Sequence, residues 1–422
     1  MQHITDLTLP RQAAERRPWL ETFVLRALAD MPRGGLRMVM PDGAVHNFGE
    51  AHPAKRATIT VRDAAFFRKC LLYGDVGFGE AYVDGDWDTD DIPAVLGWFL
   101  ANAEYAPHVS GSRKRAAALN LLRGVNRVAH LLRPNSHTGS RRNIVAHYDL
   151  GNEFFRTFLD ETMTYSSAYF ARPGMSLAEA QSEKYDRLCR ALRLRPTDRL
   201  LEIGSGWGGF AMHAARMYGC RVTTITISPE QHALASQRVA EAGLAERIEV
   251  RLCDYRDMSG VYDKIVSIEM LEAVGDRYFE AFFAQCERLL APNGLLALQV
   301  ITCPDSRYAA LRDGVDWIQK HIFPGTLLPS IDRINRAVNA TGTMSLHRLD
   351  DMGPHYAETL RRWRVTFNQN AARIRELGFD RRFLRMWNYY FSYCEAAFAA
   401  RNISVVQMVY TRPNNMSLGG IA

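Results

Sequence analysis

No stretch of the 422-residue chain reaches the roughly 18 consecutive apolar residues of a membrane-spanning helix, so no bilayer crossing is predicted. The opening MQHITDLTLPRQAAERRPW lacks the basic-then-apolar order of a secretory signal. The seven cysteines are scattered, odd in number and without CxxC spacing. A reducing cytoplasm and no structural metal are the expectations. Internal repeats and low-complexity segments are also missing. What remains is the balance of a folded protein, 47% apolar and 23% charged, at a length beyond that at which one core usually keeps growing. Two domains are predicted, 1–108 and 143–422, joined by 109–142.

Acidic residues are absent from Ser110 to Arg142, where eight lysines and arginines, set against the chain's +6, leave the remainder at −2. Ala118, Leu122, Val125, Ala129 and Leu132 recur there at helical spacing. That predicts a basic amphipathic helix of the kind that lies on an anionic membrane surface. A solvated interdomain linker is the plainer alternative. Nucleic acid is disfavoured, because the segment has no tyrosine, phenylalanine or tryptophan to stack on bases and the chain shows no nucleic-acid-binding motif.

The amino-terminal part reads as a small α+β unit. A helix near Leu20–Ala29 leads to a hairpin over Leu36–Val45, turned by Pro41-Asp42-Gly43, then a strand Ala57–Val61 and a helix Asp63–Tyr73. The segment GDVGFGEAYVDGDWDTDD (74–91) is rich in glycine and acid but lacks the ligand spacing of an EF-hand. It reads as a surface loop capping the next helix.

Beyond the linker, strands at Leu200–Ile203, Arg221–Ile227, Ile248–Cys253, Lys264–Ile268 and Gly294–Thr302 alternate with helical stretches such as Pro229–Ala242 and Arg277–Leu290. That is an α/β, doubly wound sheet. Two final strands, Leu346–Asp350 and Ile403–Tyr410, flank a long helical region. The chain is organised around LLEIGSGWGGF (200–210), a buried strand running through a glycine turn into a helix. Glycines 204, 206 and 208 permit positive φ angles and let a cofactor lie against the backbone; a close-packed turn without ligand is the bland alternative. A dinucleotide site places an acid at the end of the second strand, and Arg221–Ser228 ends without one. Acids stand instead at Glu202 and Asp254, the latter followed by Tyr255, whose ring suits an adenine. This arrangement fits S-adenosylmethionine, which has no pyrophosphate to cradle.

The block AHYDLGNEFF (146–155), continuing to TYSSAYF (164–170), together with LEIGSGWGGFA (201–211), TISPEQ (226–231), DYRD (254–257) and EAVG (272–275), resembles the cyclopropane-fatty-acyl-phospholipid synthases and their mycolic-acid relatives. The likeness runs from about residue 143 to 410, and GDVGFGEAYVDG (74–85) extends it to the amino-terminal unit of the bacterial phospholipid enzymes. It implies a Rossmann-like methyltransferase domain that moves a methyl group from S-adenosylmethionine to a cis double bond of a phospholipid acyl chain. Cytoplasmic location, peripheral to the inner face of the membrane, and a homodimer are implied as well. An alkene is a weak nucleophile, so such an enzyme aligns the methyl with the π bond, excludes water, shelters a carbocation and removes a proton. Phe154, Phe155, Phe158, Met163 and Phe170 suit an acyl tunnel, with Tyr165 and Tyr169 the best candidates to face a cation. A methyltransferase of small soluble metabolites and a non-catalytic lipid-binding module are the alternative functions.

By the family's pattern, Tyr165, Ser166, Gly204, Gly206, Thr226, Gln231, Asp254 and Tyr255 contact the cofactor. In the family a bound bicarbonate accepts the proton, held by a Cys, a Glu, a His, a Tyr and the backbone of an Ile. Glu272, Ile301 and Tyr356 match that set, whereas Ser167 stands at the Cys position and Gln299 at the His position. The usual glycine three residues before the matching Glu is here Glu269. A tethered carboxylate would then take the anion's place, with serine and glutamine donating hydrogen bonds to it. Glu269 becomes the base, bicarbonate is not required, and the charges of Glu269 and Glu272 should push one pKa up. The plainer alternative is that Glu269 caps the following turn.

Overall fold

The computed structural model describes residues 19–49, 56–105 and 150–418. The predicted basic helix, and residues 146–149 of the AHYDLGNEFF block, lie outside them.

Two sheets organise the described chain. The smaller contains β1 (Gly35–Val39), β2 (Val45–Gly49), β3 (Arg56–Val61) and β4 (Trp87–Asp88) in the order β2-β1-β3-β4. β1 and β2 form the expected antiparallel hairpin, its turn held by Asp42 Oδ1 accepting the Ala44 N–H at 2.9 Å. Along β3 every second residue, Ala57, Ile59 and Val61, is buried, as a half-buried strand requires. Helices α1 (Trp19–Ala29), α2 (Ala65–Asp84) and α3 (Ile92–Ala101) complete this part.

The expected loop at 74–91 is mostly helix. α2 breaks only at Gly74 (φ 58°, ψ −129°) and then continues, burying Val76, Phe78, Ala81, Tyr82 and Val83. The later glycines are there for close packing rather than for turning. A Cβ on Gly77 would stand 2.0 Å from the Lys69 carbonyl oxygen, and one on Gly79 would stand 2.6 Å from the Trp317 ring. Asp91 does cap the next helix, accepting the Ala94 N–H at 3.0 Å.

The larger sheet contains β5 (Arg199–Ile203), β6 (Arg221–Thr226), β7 (Ile248–Leu252), β8 (Tyr262–Ile268), β9 (Leu290–Thr302), β10 (Ser345–Asp351) and β11 (Ser404–Thr411). Their order is β10-β11-β9-β8-β5-β6-β7. β5 to β9 pair in parallel, and β11 runs antiparallel to both β9 and β10. The helices of eight residues or more are α4 (Leu177–Ala191), α5 (Gly209–Tyr218), α6 (Pro229–Glu241), α7 (Phe279–Leu289), α8 (Asp305–Asp313), α9 (Ile331–Thr341), α10 (Gly353–Gln369) and α11 (Arg381–Ala399). This is the predicted doubly wound fold. Leu200, Leu201, Ile265 and Val266 are fully buried because helices cover both faces of the sheet. The chain winds outward from β5 to β7 and then returns to place β8 on the other edge of β5. That reversal opens a crevice at the carboxyl ends of β5 and β8.

Phe154, Phe155 and Phe158, expected along an acyl tunnel, are core residues at most 1% exposed. The Phe154 ring lies 4.7 Å from that of Trp387, and Phe158 packs on Trp363 and Phe391. Three aromatics in five residues bring enough apolar area to glue α10 and α11 to the sheet domain. The amino-terminal unit joins the same core. Arg385 of α11 donates to the Tyr82 carbonyl at 2.7 Å while its guanidinium lies over the Tyr82 ring.

Candidate active site

The crevice holds a cavity of about 180 Å³ lined from β5, β6, β8 and the 163–166 segment. All eight residues expected to bind the cofactor, from Tyr165 to Tyr255, face it. Gly204 and Gly206 have φ of 98° and 49°, and a Cβ on Gly206 would meet nothing within 4 Å. Gly208 is different: it opens α5 at φ 83°, with its would-be Cβ 3.5 Å from Ala235, so that glycine serves helix packing. Thr226 donates to Gln231 Oε1 at 2.8 Å. Asp254 takes the Arg256 guanidinium at 2.9 and 2.7 Å, and the Tyr255 ring is fixed edge-on against Phe282. Glu202, buried at the end of β5, accepts from Thr224 Oγ1 at 2.5 Å. Burial pushes its carboxyl up to about 8, against the opposing pull of Thr224 and Lys184.

S-adenosylmethionine fits this lining. Arg256 is the one cationic residue among the lining residues, and Asp254 already engages it. The cavity therefore offers no unpaired positive charge for a pyrophosphate, while Glu202, Asp254 and Glu269 line it with carboxyl oxygens.

Glu269 follows β8 and reaches the same wall. Its Oε1 accepts the Ser167 backbone N–H at 2.8 Å and Gln299 Nε2 at 2.8 Å. Its Oε2 accepts the Tyr356 hydroxyl at 2.9 Å. Three of the five other residues expected around the family's anion thus donate to this one carboxylate. The remaining two pair with each other: Glu272 Oε1 accepts the Ile301 N–H at 2.5 Å, and the buried Glu272 Oε2 has no hydrogen-bond partner. Burial, and then the Glu269 charge, push Glu272 up to about 8. Burial also raises Glu269, while Lys184, Gln299, the Ser167 N–H and Tyr356 pull it back. Ser167 contributes differently from expectation. Its hydroxyl is turned to the Ala168 carbonyl at 3.0 Å, and only its backbone serves Glu269. Tyr169 stands apart from the cavity, between the His355 ring at 4.2 Å and the Arg187 guanidinium at 4.0 Å.

Two residues were missed by the sequence reading. Gln407 on β11 sits opposite Gln299 in the sheet register and donates to Gln299 Oε1 at 3.0 Å, which fixes that amide's orientation. Lys184 on α4 is fully buried, its Nζ donating to Ser166 Oγ at 2.7 Å. The signal for Lys184 was available. It occupies the apolar stripe of α4 between Ala180 and Leu188, at i+4 spacing, where an unpartnered ammonium would be costly.

Residues 135–408 match the family described as mycolic acid cyclopropane synthetase. The chain belongs to this family. It is 41% identical over 389 residues, 89% of this chain and 88% of the other, to a tuberculostearic acid methyltransferase of Mycobacterium tuberculosis. It is 36% identical over 361 residues, 84% and 88% of the two chains, to the cyclopropane-fatty-acyl-phospholipid synthase of Escherichia coli. A mycolic acid cyclopropane synthase solved with SAH and CTAB superposes with a TM-score of 0.60 and 33% identity, covering 64% of this chain and 98% of that one. A family member with this cavity is an S-adenosylmethionine-dependent methyltransferase of the Rossmann-like fold.

Proposed function

We propose that the protein transfers the methyl group of S-adenosylmethionine to a cis double bond of an unsaturated acyl chain on a membrane phospholipid, and that Glu269 then removes the proton. Family membership supports a lipid acyl chain as substrate. The observation that carries the finer reading is the Glu269 carboxylate, held by three donors on the cavity wall. S-adenosylmethionine supplies the methyl electrophile when bound. The alkene's π pair forms the new carbon–carbon bond, the carbon–sulfur bond breaks, and the adjacent chain carbon is left positive. Glu269 accepts the proton that resolves this charge, with the Tyr356, Gln299 and Ser167 donors fixing its lone pairs. Loss of a proton from the added methyl closes a cyclopropane. A hydride shift before the loss leaves a methylene branch instead.

No helix among the described residues is long and apolar enough to cross a membrane, so access to the bilayer falls to the surface. The basic segment 110–142 is the part of the sequence suited to anionic headgroups.

Expression in a host lacking its own synthase tests the reading by mass spectrometry of membrane lipids. Unsaturated phospholipid chains should become heavier by one CH₂, and catalytic hydrogenation should add two hydrogens to a methylene product while sparing a ring. Unchanged lipids beside a methylated soluble metabolite would overturn it.

A further inference from the structure

Apart from the Arg256–Asp254 ion pair, one ammonium and three carboxyl groups are enclosed around the cavity. Glu202 accepts one hydrogen bond, from Thr224, and Glu272 accepts one, from the Ile301 backbone. Glu269 accepts three. A single buried cation supports a single buried anion, and the carboxyl with the most donors takes the charge. Lys184 is also tied to both arms that hold Glu269. Its Nζ donates to Ser166 Oγ, and the next residue supplies the Ser167 N–H. Its carbonyl lies 3.5 Å from Gln407 Nε2, the group that orients Gln299. One turn earlier on α4, Gln181 Nε2 donates to the Ser166 carbonyl at 2.9 Å.

We infer that Lys184 is a positioning residue for the reaction, the buried counter-charge that keeps Glu269 ionised and the anchor of the loop that supplies its Ser167 donor. The inference rests on the reading of Glu269 as the base, but its test does not. Other charged and titratable groups face the pair: Glu272, Tyr356 and Tyr390 around Glu269, and Asp160, Glu202 and Tyr185 around Lys184. Burial pulls the Lys184 ammonium down to about 8, with Glu269 and then Asp160 and Glu202 pulling it back, whereas none of the groups named around Glu269 is a second cation. Lys184 is therefore the group whose removal leaves Glu269 without compensation.

The experiment is infrared difference spectroscopy of the carboxyl region on the full chain, with Glu269→Gln identifying the Glu269 band. In the unsubstituted protein at neutral pH, Glu269 should appear as carboxylate. In Lys184→Met, a protonated carboxyl band should appear that Lys184→Met/Glu269→Gln lacks. The acid limb of the kcat/KM profile should move up by about one pH unit or more, the scale of a lost opposite charge. Lys184→Arg, which keeps the charge, should restore most of that limb. A stability role alone would lower Tm and leave the limb and the band in place, which would overturn the inference. If Lys184→Met does not fold, the spectrum of the unsubstituted protein still decides: Glu269 protonated at neutral pH overturns the inference. An ionised Glu269 whose replacement leaves turnover intact would instead refute the base assignment.

Discussion

The hydroxyl of Tyr356 lies 2.9 Å from Glu269 Oε2 although 87 positions separate the two residues. The tyrosine stands on α10, part of the helical addition that follows β10, and the glutamate stands at the end of β8, inside the doubly wound sheet. The candidate base is therefore assembled only when the addition docks on the sheet. Burial and the neighbouring Glu269 carboxylate drive the Tyr356 phenol well above its ordinary pKa, so it remains a donor through the working pH range.

That arrangement makes Glu269→Gln the first substitution to measure. Glutamine keeps the volume and most of the hydrogen bonding but cannot accept the proton. Turnover should fall roughly 10²-fold or more, the scale of a positioned general base. Calorimetric affinity for S-adenosylmethionine should be nearly unchanged, and removal of dissolved CO₂ should not slow the unsubstituted enzyme. Normal turnover by the variant, or collapse of the parent without bicarbonate, would return Glu269 to a structural role.

A subtler outcome is expected at Gln407, which is not among the residues lining the cavity. Its amide holds Gln299 with Nε2 toward Glu269. Gln407→Leu leaves the buried Gln299 Oε1 without its donor, so the Gln299 amide is no longer fixed and its hydrogen bond to Glu269 is weakened or lost. The loss of one donor to a charged group should reduce kcat by about tenfold while the dissociation constant for S-adenosylmethionine stays constant. Equal losses in kcat and in cofactor binding would point to general disruption of β11.

Much of this was legible before any coordinates. The alternation of strands and helices, the glycine turn and the Glu269 substitution at a glycine position all leave local marks in the sequence. The orientation of Ser167 does not, because whether a serine offers its hydroxyl or its backbone N–H depends on neighbours such as the Ala168 carbonyl. Phe154, Phe155 and Phe158 read equally well as tunnel or core, since burial in protein and burial against an acyl chain select the same side chains. Segment 74–91 failed for another reason: glycines that admit a close neighbour and glycines that turn the chain look alike in sequence. Gln407 carries no mark at all, since its role is fixed by strand register across 108 positions.

The protonation of Glu202 gives a stability prediction with a definite sign. Its folded carboxyl is pushed up to about 8 by burial, above the roughly 4.3 of an unfolded glutamate. The folded state therefore binds more protons than the unfolded one across this window, so Glu202's contribution is fully present below the lower value and is lost as pH rises through the upper one. Glu272 acts in the same direction. The melting temperature of the ligand-free protein should fall from pH 5 to pH 8. Glu202→Gln, whose amide oxygen can still accept from Thr224, should fall less steeply. A parallel decline in both proteins would mean that Glu202 does not titrate there.

Glu269 also stores backbone strain, with φ at 49°, in the left-handed region where glycine is at ease. A bulky residue held there costs of order 1–3 kcal/mol, and the three donors to its carboxylate are what hold it. Glu269→Gly removes that strain, but it also empties the space between Tyr356, Gln299 and the Ser167 N–H and leaves those donors without their acceptor. The two effects oppose each other, so melting temperature should change little while turnover is lost. The vacated site is lined by donors, with the Lys184 ammonium in electrostatic reach, which is the setting for a small planar anion. Added bicarbonate should therefore restore part of the activity of Glu269→Gly and none of the activity of Glu269→Gln, whose side chain still fills the space. Rescue of both variants, or of neither with formate and nitrite also inert, would show that the carboxylate of Glu269 does not occupy an anion's place.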